Sequence, residues 1–239
     1  MAKFDTAMVL AAGLGTRMRP LTLEKPKPLI EISGKSLIDH ALDRFANSGV
    51  SRSIVNVHYL ADKIEAHLKG RNRPEVFISD EREQLLETGG GLQAALPLFP
   101  QDEIFCTNTD AVFVDDGANG ACETLKAHWD DNRMDALLLL APIEKTTGYY
   151  GDGDFNIRDN GEITFRREAM APFVFTGLQL IATSLIKEGP GGAYSTKKLW
   201  DIAAKSKRLH GVVYDGFWMH VGDPAGLEAA EKFMSNRHA

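Results

Sequence analysis

The chain alternates short unbroken apolar runs with longer segments whose apolar positions recur every three or four residues. Residues 7–11 read AMVLA and predict a buried strand. Runs at 53–58, 75–79, 104–108 and 136–141 predict strands in the same way. Between the first two, Leu37, Ile38, Ala41, Leu42 and Phe45 fall on one helical face. Ser36, with Asp39 three residues on, has the spacing of a capping box, and Gly49 ends the helix. Further helices are predicted over 60–69, 91–96 and 118–131. Strands and helices in this alternation imply an α/β fold. Its sheet is mostly parallel and Rossmann-like, with right-handed crossovers and helices on both faces. Ligands of such sheets bind outside the carboxyl ends of the strands. There this chain carries Gly13, Asn108 and Asp110.

Beyond Pro142 the pattern changes. Residues 148–161 are rich in Gly, Asp and Tyr, with turn signals at Asp152-Gly153 and Asn160-Gly161. Extended segments follow at 163–166 and 173–181, then a helix at 195–206, a strand at 209–214 and a last helix from Pro224.

Composition narrows the class. A chain of 239 residues, 44% of them hydrophobic, suits one large domain with a sizeable core. The net charge of −6 and the local placement of the basic groups predict no nucleic-acid partner. The longest apolar runs, such as 136–142, are too short to span a bilayer, and the start of the chain lacks leader architecture. Cys106 and Cys122 lie in apolar settings without metal-type spacing and are predicted to be reduced core residues. The expectation is a cytoplasmic protein without a membrane partner, a monomer or small homo-oligomer.

The chemistry concentrates after the first strand. Leu10-Ala11-Ala12-Gly13-Leu14-Gly15-Thr16-Arg17-Met18-Arg19-Pro20 is followed by Pro26-Lys27-Pro28. Glycines let a backbone approach a ligand and expose its N–H groups to anions. Arginine forks match phosphate oxygens, lysine adds a mobile point charge, and the prolines stiffen its loop. Together these residues describe a polyphosphate cradle. Two common phosphate loops do not fit. The dinucleotide fingerprint needs glycine where this chain has Met18, and G-x-x-x-x-G-K-[ST] is absent.

Four later motifs follow in order: Glu87-Thr88-Gly89-Gly90-Gly91, Asn108-Thr109-Asp110, Phe175-Thr176-Gly177 and Trp218-Met219-His220-Val221-Gly222-Asp223-Pro224. With these, nearly the whole chain resembles the sugar-1-phosphate nucleotidyltransferases, the nucleoside-diphosphate-sugar pyrophosphorylases. Its compact length and its LETGGG segment resemble the N-acetylmuramate 1-phosphate uridylyltransferases most, and the mannose-1-phosphate guanylyltransferases share much of the pattern. The resemblance implies a glycosyltransferase-A-like fold in a single nucleotidyltransferase domain over 1–239. Residues 1–141 would form the nucleotide-binding part. Residues 142–239 would supply the small sugar-binding insertion and the C-terminal helices.

The implied reaction joins a nucleoside triphosphate and a sugar 1-phosphate into a nucleotide sugar and pyrophosphate. UTP and N-acetylmuramate 1-phosphate are the first choice of substrates, in peptidoglycan recycling. GDP-mannose synthesis and a non-catalytic nucleotide-sugar-binding regulator are the alternatives. Arg17, Lys27 and Asp110 would be catalytic. Leu10, Ala11, Ala12, Gly13, Gly15, Thr16, Glu87, Thr88, Gly89, Gly90 and Asn108 would join Arg17 and Lys27 in holding the nucleotide, with residues 87–91 wrapping the base. Gly153, Asp154, Glu168, Thr176 and Gly177 would hold the sugar phosphate. Asp110 would bind Mg²⁺.

The second metal position departs from the family pattern, since His220 stands where relatives carry an aspartate. Imidazole is a poor ligand for Mg²⁺, which prefers oxygen. Asp223 is an alternative ligand, but its place before Pro224 and an amphipathic run reads as a helix N-cap.

Overall fold

The computed structural model describes residues 3–115 and 120–237. The first apolar run is strand β1 (Thr6–Leu10). A small hairpin of β2 (Glu31–Ile32) and β3 (Lys35–Ser36) leads into helix α1 (Leu37–Asn47). Ser36 caps that helix as its spacing predicts, its Oγ accepting the Asp39 N–H at 3.2 Å. Then come β4 (Arg52–Val57), α2 (Ala61–Leu68), β5 (Glu75–Asp80), α3 (Glu87–Ala94) and β6 (Glu103–Asn108). They are followed by β7 (Ala111–Val114), α4 (Ala121–His128) and β8 (Ala136–Pro142). The second part holds β9 (Thr146–Thr147), β10 (Phe155–Ile157), β11 (Ile163–Phe165), β12 (Phe173–Ala182), α5 (Thr183–Lys187) and α6 (Lys197–Lys205). It ends with β13 (Leu209–Val213), β14 (Phe217–His220) and α7 (Pro224–Arg237).

Two predicted helices have different bounds. The helix expected at 91–96 starts earlier, at Glu87, and takes in all three glycines. The helix expected at 118–131 is observed from Ala121 to His128, where Trp129 turns extended. Residues 118 and 119 lie outside the described residues.

Among the described residues, nine strands form the main sheet. Its core, β6-β1-β4-β5, is parallel throughout. Strand β12 is inserted antiparallel between β6 and β8, and β13 continues beyond β8 in parallel with it. The N-terminal end of β12 also carries the β10-β11 hairpin. A separate three-stranded sheet, β7-β14-β9, stands beside the carboxyl end of β6.

Successive strand residues point to opposite faces, so each strand feeds two cores. Ala7, Val9, Val55, Val57 and Phe105 pack with α1, α2 and α4 through Leu42, Phe45, Ile64 and Leu125. Met8, Ile54, Ile104 and Cys106 pack with α3, α5 and α6 through Leu92, Leu185, Ile186, Leu199 and Ala203. Three helices on each face bury the parallel strands on both sides, which is why those strands read as unbroken apolar runs. Cys106 and Cys122 are free and buried, and burial pushes their thiols up to about 12 and about 11.

Candidate active site

The loop leaving β1 is fixed at its first residue. Ala11 N donates to the side-chain oxygen of Asn56, on β4, at 2.7 Å. Gly15 then adopts a left-handed conformation at φ 62°, which a glycine enters without penalty. A Cβ on Gly15 would stand 3.0 Å from Lys27 Cβ and 3.1 Å from Thr22 Cγ2, so the loop folds tightly over both. Thr22 Oγ1 closes the fold by donating to the Gly15 carbonyl at 2.8 Å. Gly13, by contrast, has open space around it.

Under this loop lies a cavity of about 440 Å³. Among the residues expected to hold nucleotide, Leu10, Ala11, Ala12, Gly13, Gly15, Thr16, Arg17, Lys27, Glu87, Thr88 and Asn108 all line it, and so does Asp110. Arg19 is exposed and is not part of the lining.

The proline-flanked lysine forms a short 3₁₀ turn, Lys27–Leu29, with Pro26 extended before it. That turn aims Lys27 Nζ at Asp110 Oδ2, 2.7 Å away, and the side chains are only 12% and 18% exposed. Asp110 sits in the turn between β6 and β7. Burial alone would raise its carboxyl, but Lys27, His220 and Arg17 outweigh that and hold it below the ordinary value.

The β7-β14 ladder pairs Ala111 with His220, and Val221 N donates to the Asp110 carbonyl at 2.9 Å, which brings His220 beside Asp110. Burial pushes the His220 imidazole below its usual value, and Lys27 and Arg17 add to the effect against the pull of Asp110 and Asp223. Its ring lies over Gly222, where a Cβ would come within 2.2 Å of Nε2.

Asp223 is an N-cap. Its Oδ1 accepts the Gly226 N–H at 2.8 Å, with Pro224 at the first helical position of α7. Among the described residues no group of three or more His, Cys, Asp or Glu side chains is placed to hold a metal ion. Of the two lining carboxylates, Glu87 and Asp110, the one beside Lys27 suits Mg²⁺, which is commonly bound by one or two carboxylates together with substrate phosphates and water.

The triple glycine departs from the expected wrapping loop. It forms the first turns of α3, packed against residues 192–194. A Cβ on Gly89 would lie 2.4 Å from Tyr194 Cε2, and one on Gly90 would lie 2.3 Å from the Gly192 carbonyl. The Tyr194 carbonyl accepts both their N–H groups, at 2.8 and 3.1 Å, and so caps the helix. Only Glu87 and Thr88 of that segment reach the cavity, and Glu87 is held at φ 60°. A positive φ in a residue other than glycine marks a position the surroundings over-determine.

The residues expected to hold the sugar phosphate take different places. Gly153 is packed on the Ala171 carbonyl. Asp154 Oδ2 accepts the Phe175 N–H at 2.9 Å, and the buried Thr176 hydroxyl donates to the Leu139 carbonyl at 2.8 Å. Gly177, at φ 88°, stands against Asn108, where a Cβ would be 3.3 Å from the Asn108 side chain. Glu168 is exposed in the loop before β12. Trp218 is a core residue, 2% exposed, with Tyr149 packed against it, whereas Tyr150 is 76% exposed.

Sequence reasoning passed over Asn56 and Ser195, which also line the cavity. Asn56 had a signal, a polar residue inside an apolar strand; Ser195 had none.

The Nucleotidyl transferase family matches residues 6–164 of the chain. The N-acetylmuramate alpha-1-phosphate uridylyltransferase of Caulobacter vibrioides is 44% identical over 230 residues, which cover 94% of this chain and 95% of that protein. A mannose-1-phosphate guanylyltransferase catalytic subunit beta of Danio rerio is 26% identical over 91% of this chain and 61% of its own length. Among solved structures, a UDP-glucose pyrophosphorylase from Acinetobacter baumanii superposes with a TM-score of 0.81 at 14% identity, over 98% of this chain and 94% of that one. At that identity the likeness concerns the fold.

Proposed function

This chain belongs to the nucleotidyl transferase family, and we propose that it joins UTP to N-acetylmuramate 1-phosphate, giving UDP-N-acetylmuramate and pyrophosphate. Its reaction class is that of the family, in which a nucleoside triphosphate and a sugar 1-phosphate become a nucleotide sugar. The observation that carries the reading is the mostly buried Lys27–Asp110 pair in the lining of a cavity that Gly13 and Gly15 also line. The choice of uracil and N-acetylmuramate rests on the 44% identical relative.

An oxygen of the sugar phosphate attacks the α-phosphorus in line, a new P–O bond forms, and the bond to the β-phosphate oxygen breaks. The nucleophile is already an anion, so no strong base is needed. The difficulty is to hold two polyanions together and to stabilise the charge spread in the transition state. The N–H groups of residues 13–17 face the departing phosphates, and Arg17 adds a fork for them. Lys27 stands between the attacking phosphate and the α-phosphate. Asp110 is the ligand for Mg²⁺, which when bound neutralises phosphate charge. Ala11, Glu87 and Thr88 face the base. Gly177 marks the sugar-phosphate side through its contact with Asn108, Gly153, Asp154 and Thr176 shape that side, and Glu168 is the exposed group assigned to the sugar.

Among the described residues no helix is long and apolar enough to cross a membrane. The proposed setting is the cytoplasmic recycling of cell-wall sugars. The test is pyrophosphate release with four nucleoside triphosphates against a panel of sugar 1-phosphates. The expected best pair is UTP with N-acetylmuramate 1-phosphate. Preference for GTP with mannose 1-phosphate, or binding without release, overturns the proposal.

A further inference from the structure

Glu81 is a buried acid that none of these steps uses. It lies just after β5 and is 3% exposed. Its carboxylate accepts two hydrogen bonds, from Asn56 Nδ2 at 2.7 Å and from Leu86 N at 3.1 Å. Its main chain is anchored as well, its N–H donating to the Val57 carbonyl at 2.8 Å and its carbonyl accepting from His58 Nδ1 at 2.7 Å.

Asn56 is 2% exposed, and its Oδ1 accepts the Ala11 N–H at 2.7 Å. A backbone N–H only donates, so the amide is oriented with its oxygen on Ala11 and its nitrogen on Glu81. Both partners of the Glu81 carboxylate are therefore donors. Gly91 makes the contact possible, because a Cβ there would stand 2.6 Å from Glu81 Oε1 and 2.8 Å from Asn56 Nδ2.

This chain of hydrogen bonds, Ala11 to Asn56 to Glu81 to Leu86, ties together separate stretches of one cavity wall. Ala11, Asn56, Leu85, Glu87 and Thr88 line that wall. We propose that Glu81 is the positioning residue for nucleobase recognition. Without touching the ligand, it sets the spacing and orientation of the backbone that the Ala11 stretch and the 85–88 segment present to the base, with Asn56 as the link between them. This rests on reading the cavity as the nucleoside triphosphate site.

The test exploits the polarity of the network. In Glu81→Gln one acceptor becomes a donor, so an N–H group is set against either Asn56 or Leu86. KM for the nucleoside triphosphate should rise about tenfold or more, as expected when a buried donor loses its partner. Discrimination among the four triphosphates should weaken. Turnover and KM for the sugar phosphate should stay within about threefold, since the Lys27–Asp110 end is untouched.

Adding Asn56→Asp restores the polarity. The new carboxylate accepts from Ala11 and from the glutamine amide, whose oxygen is then free for Leu86. The double variant should recover nucleotide KM and discrimination, whereas Asn56→Asp alone faces two carboxylates and should not. Equal loss in both substrates' KM, or no recovery in the folded double variant, overturns the proposal. If Glu81→Gln alone does not fold, the folded double variant decides by its discrimination. The assays use whichever triphosphate the wild type prefers, with calorimetric affinities if it turns over none. A preferred base other than uracil therefore refutes the proposed substrate and leaves the role of Glu81 to its own result.

Discussion

Truncating Lys27 to alanine separates two roles of one side chain. Its ammonium lies 2.7 Å from the Asp110 carboxylate, and both groups are mostly buried. At that distance two unit charges in an effective dielectric of about 20 attract by about 6 kcal/mol. Much of this is cancelled by the desolvation of both groups. Removing one partner of a fully buried pair costs about 3–5 kcal/mol, because the other is left as an unpaired buried charge. Both groups here keep a water-facing edge, so the low end, about 3 kcal/mol, applies. In a chain of this size that lowers the melting temperature by roughly 6–12 °C.

The loss depends on pH. Asp110 is held below its ordinary value, so its contribution is complete above the unfolded carboxyl value of about 3.9 and fades as pH falls through the folded value. The gap between wild type and variant should therefore be widest near neutrality and shrink in acid. Losing one preorganised charge in the transition state costs a further 3–4 kcal/mol or so, two to three orders of magnitude in turnover. Adding Asp110→Asn removes the orphaned charge, so the double variant should regain most of the stability and none of the turnover. The assays are thermal melting and initial pyrophosphate release on all four members of the cycle. A double variant as unstable as the sum of the singles refutes the coupling. A folded Lys27→Ala enzyme within about tenfold of normal turnover refutes the catalytic assignment.

Three further outcomes are expected. Asp110→Asn should abolish the Mg²⁺-dependent reaction while Asp223→Asn is mild, since asparagine caps a helix about as well as aspartate; comparable large losses in initial rate would make Asp223 a ligand. His220→Asp should lower the Mg²⁺ concentration needed for half-maximal rate, by setting a second carboxylate beside Asp110, and the gain should shrink in high salt; an unchanged Mg²⁺ titration would show that the position does not face the cation. Gly89→Ala should destabilise by about 1–3 kcal/mol in denaturant titration despite alanine's better helix propensity, because its Cβ meets Tyr194; a stabilised variant would mean that the 194 segment yields.

The parts legible in the sequence were those whose meaning is local. Ser36 capping α1, Asp223 capping α7 and the tight loop that brings Gly15 onto Lys27 each depend on residues within one turn or one loop. The Glu81–Asn56 bond was hidden because its partners are 25 positions apart and meet only when β4 and β5 pair. The resemblance implies that residues 87–91 wrap the base, yet the triple glycine lies inside α3, where small residues let the helix approach Tyr194 and Gly192. The resemblance alone implies that Asp154 and Thr176 hold the sugar phosphate, and their oxygens meet the backbone of β12 and β8. The antiparallel insertion of β12 left no trace either, since an apolar run does not record its direction.

That insertion also bears on how such enzymes exchange parts. Strand β8 belongs to the first 142 residues, yet both its neighbours in the sheet, β12 and β13, come from the region after it. Strand β6, which delivers Asn108, is likewise flanked by β1 on one side and β12 on the other. A recombination junction near residue 142 would therefore ask strands from two parents to pair at the β8–β12, β8–β13 and β6–β12 seams. New sugar preference is better grafted in residues 148–172, whose β10-β11 hairpin joins the sheet at its edge through the start of β12, so that the woven strands of one parent stay together.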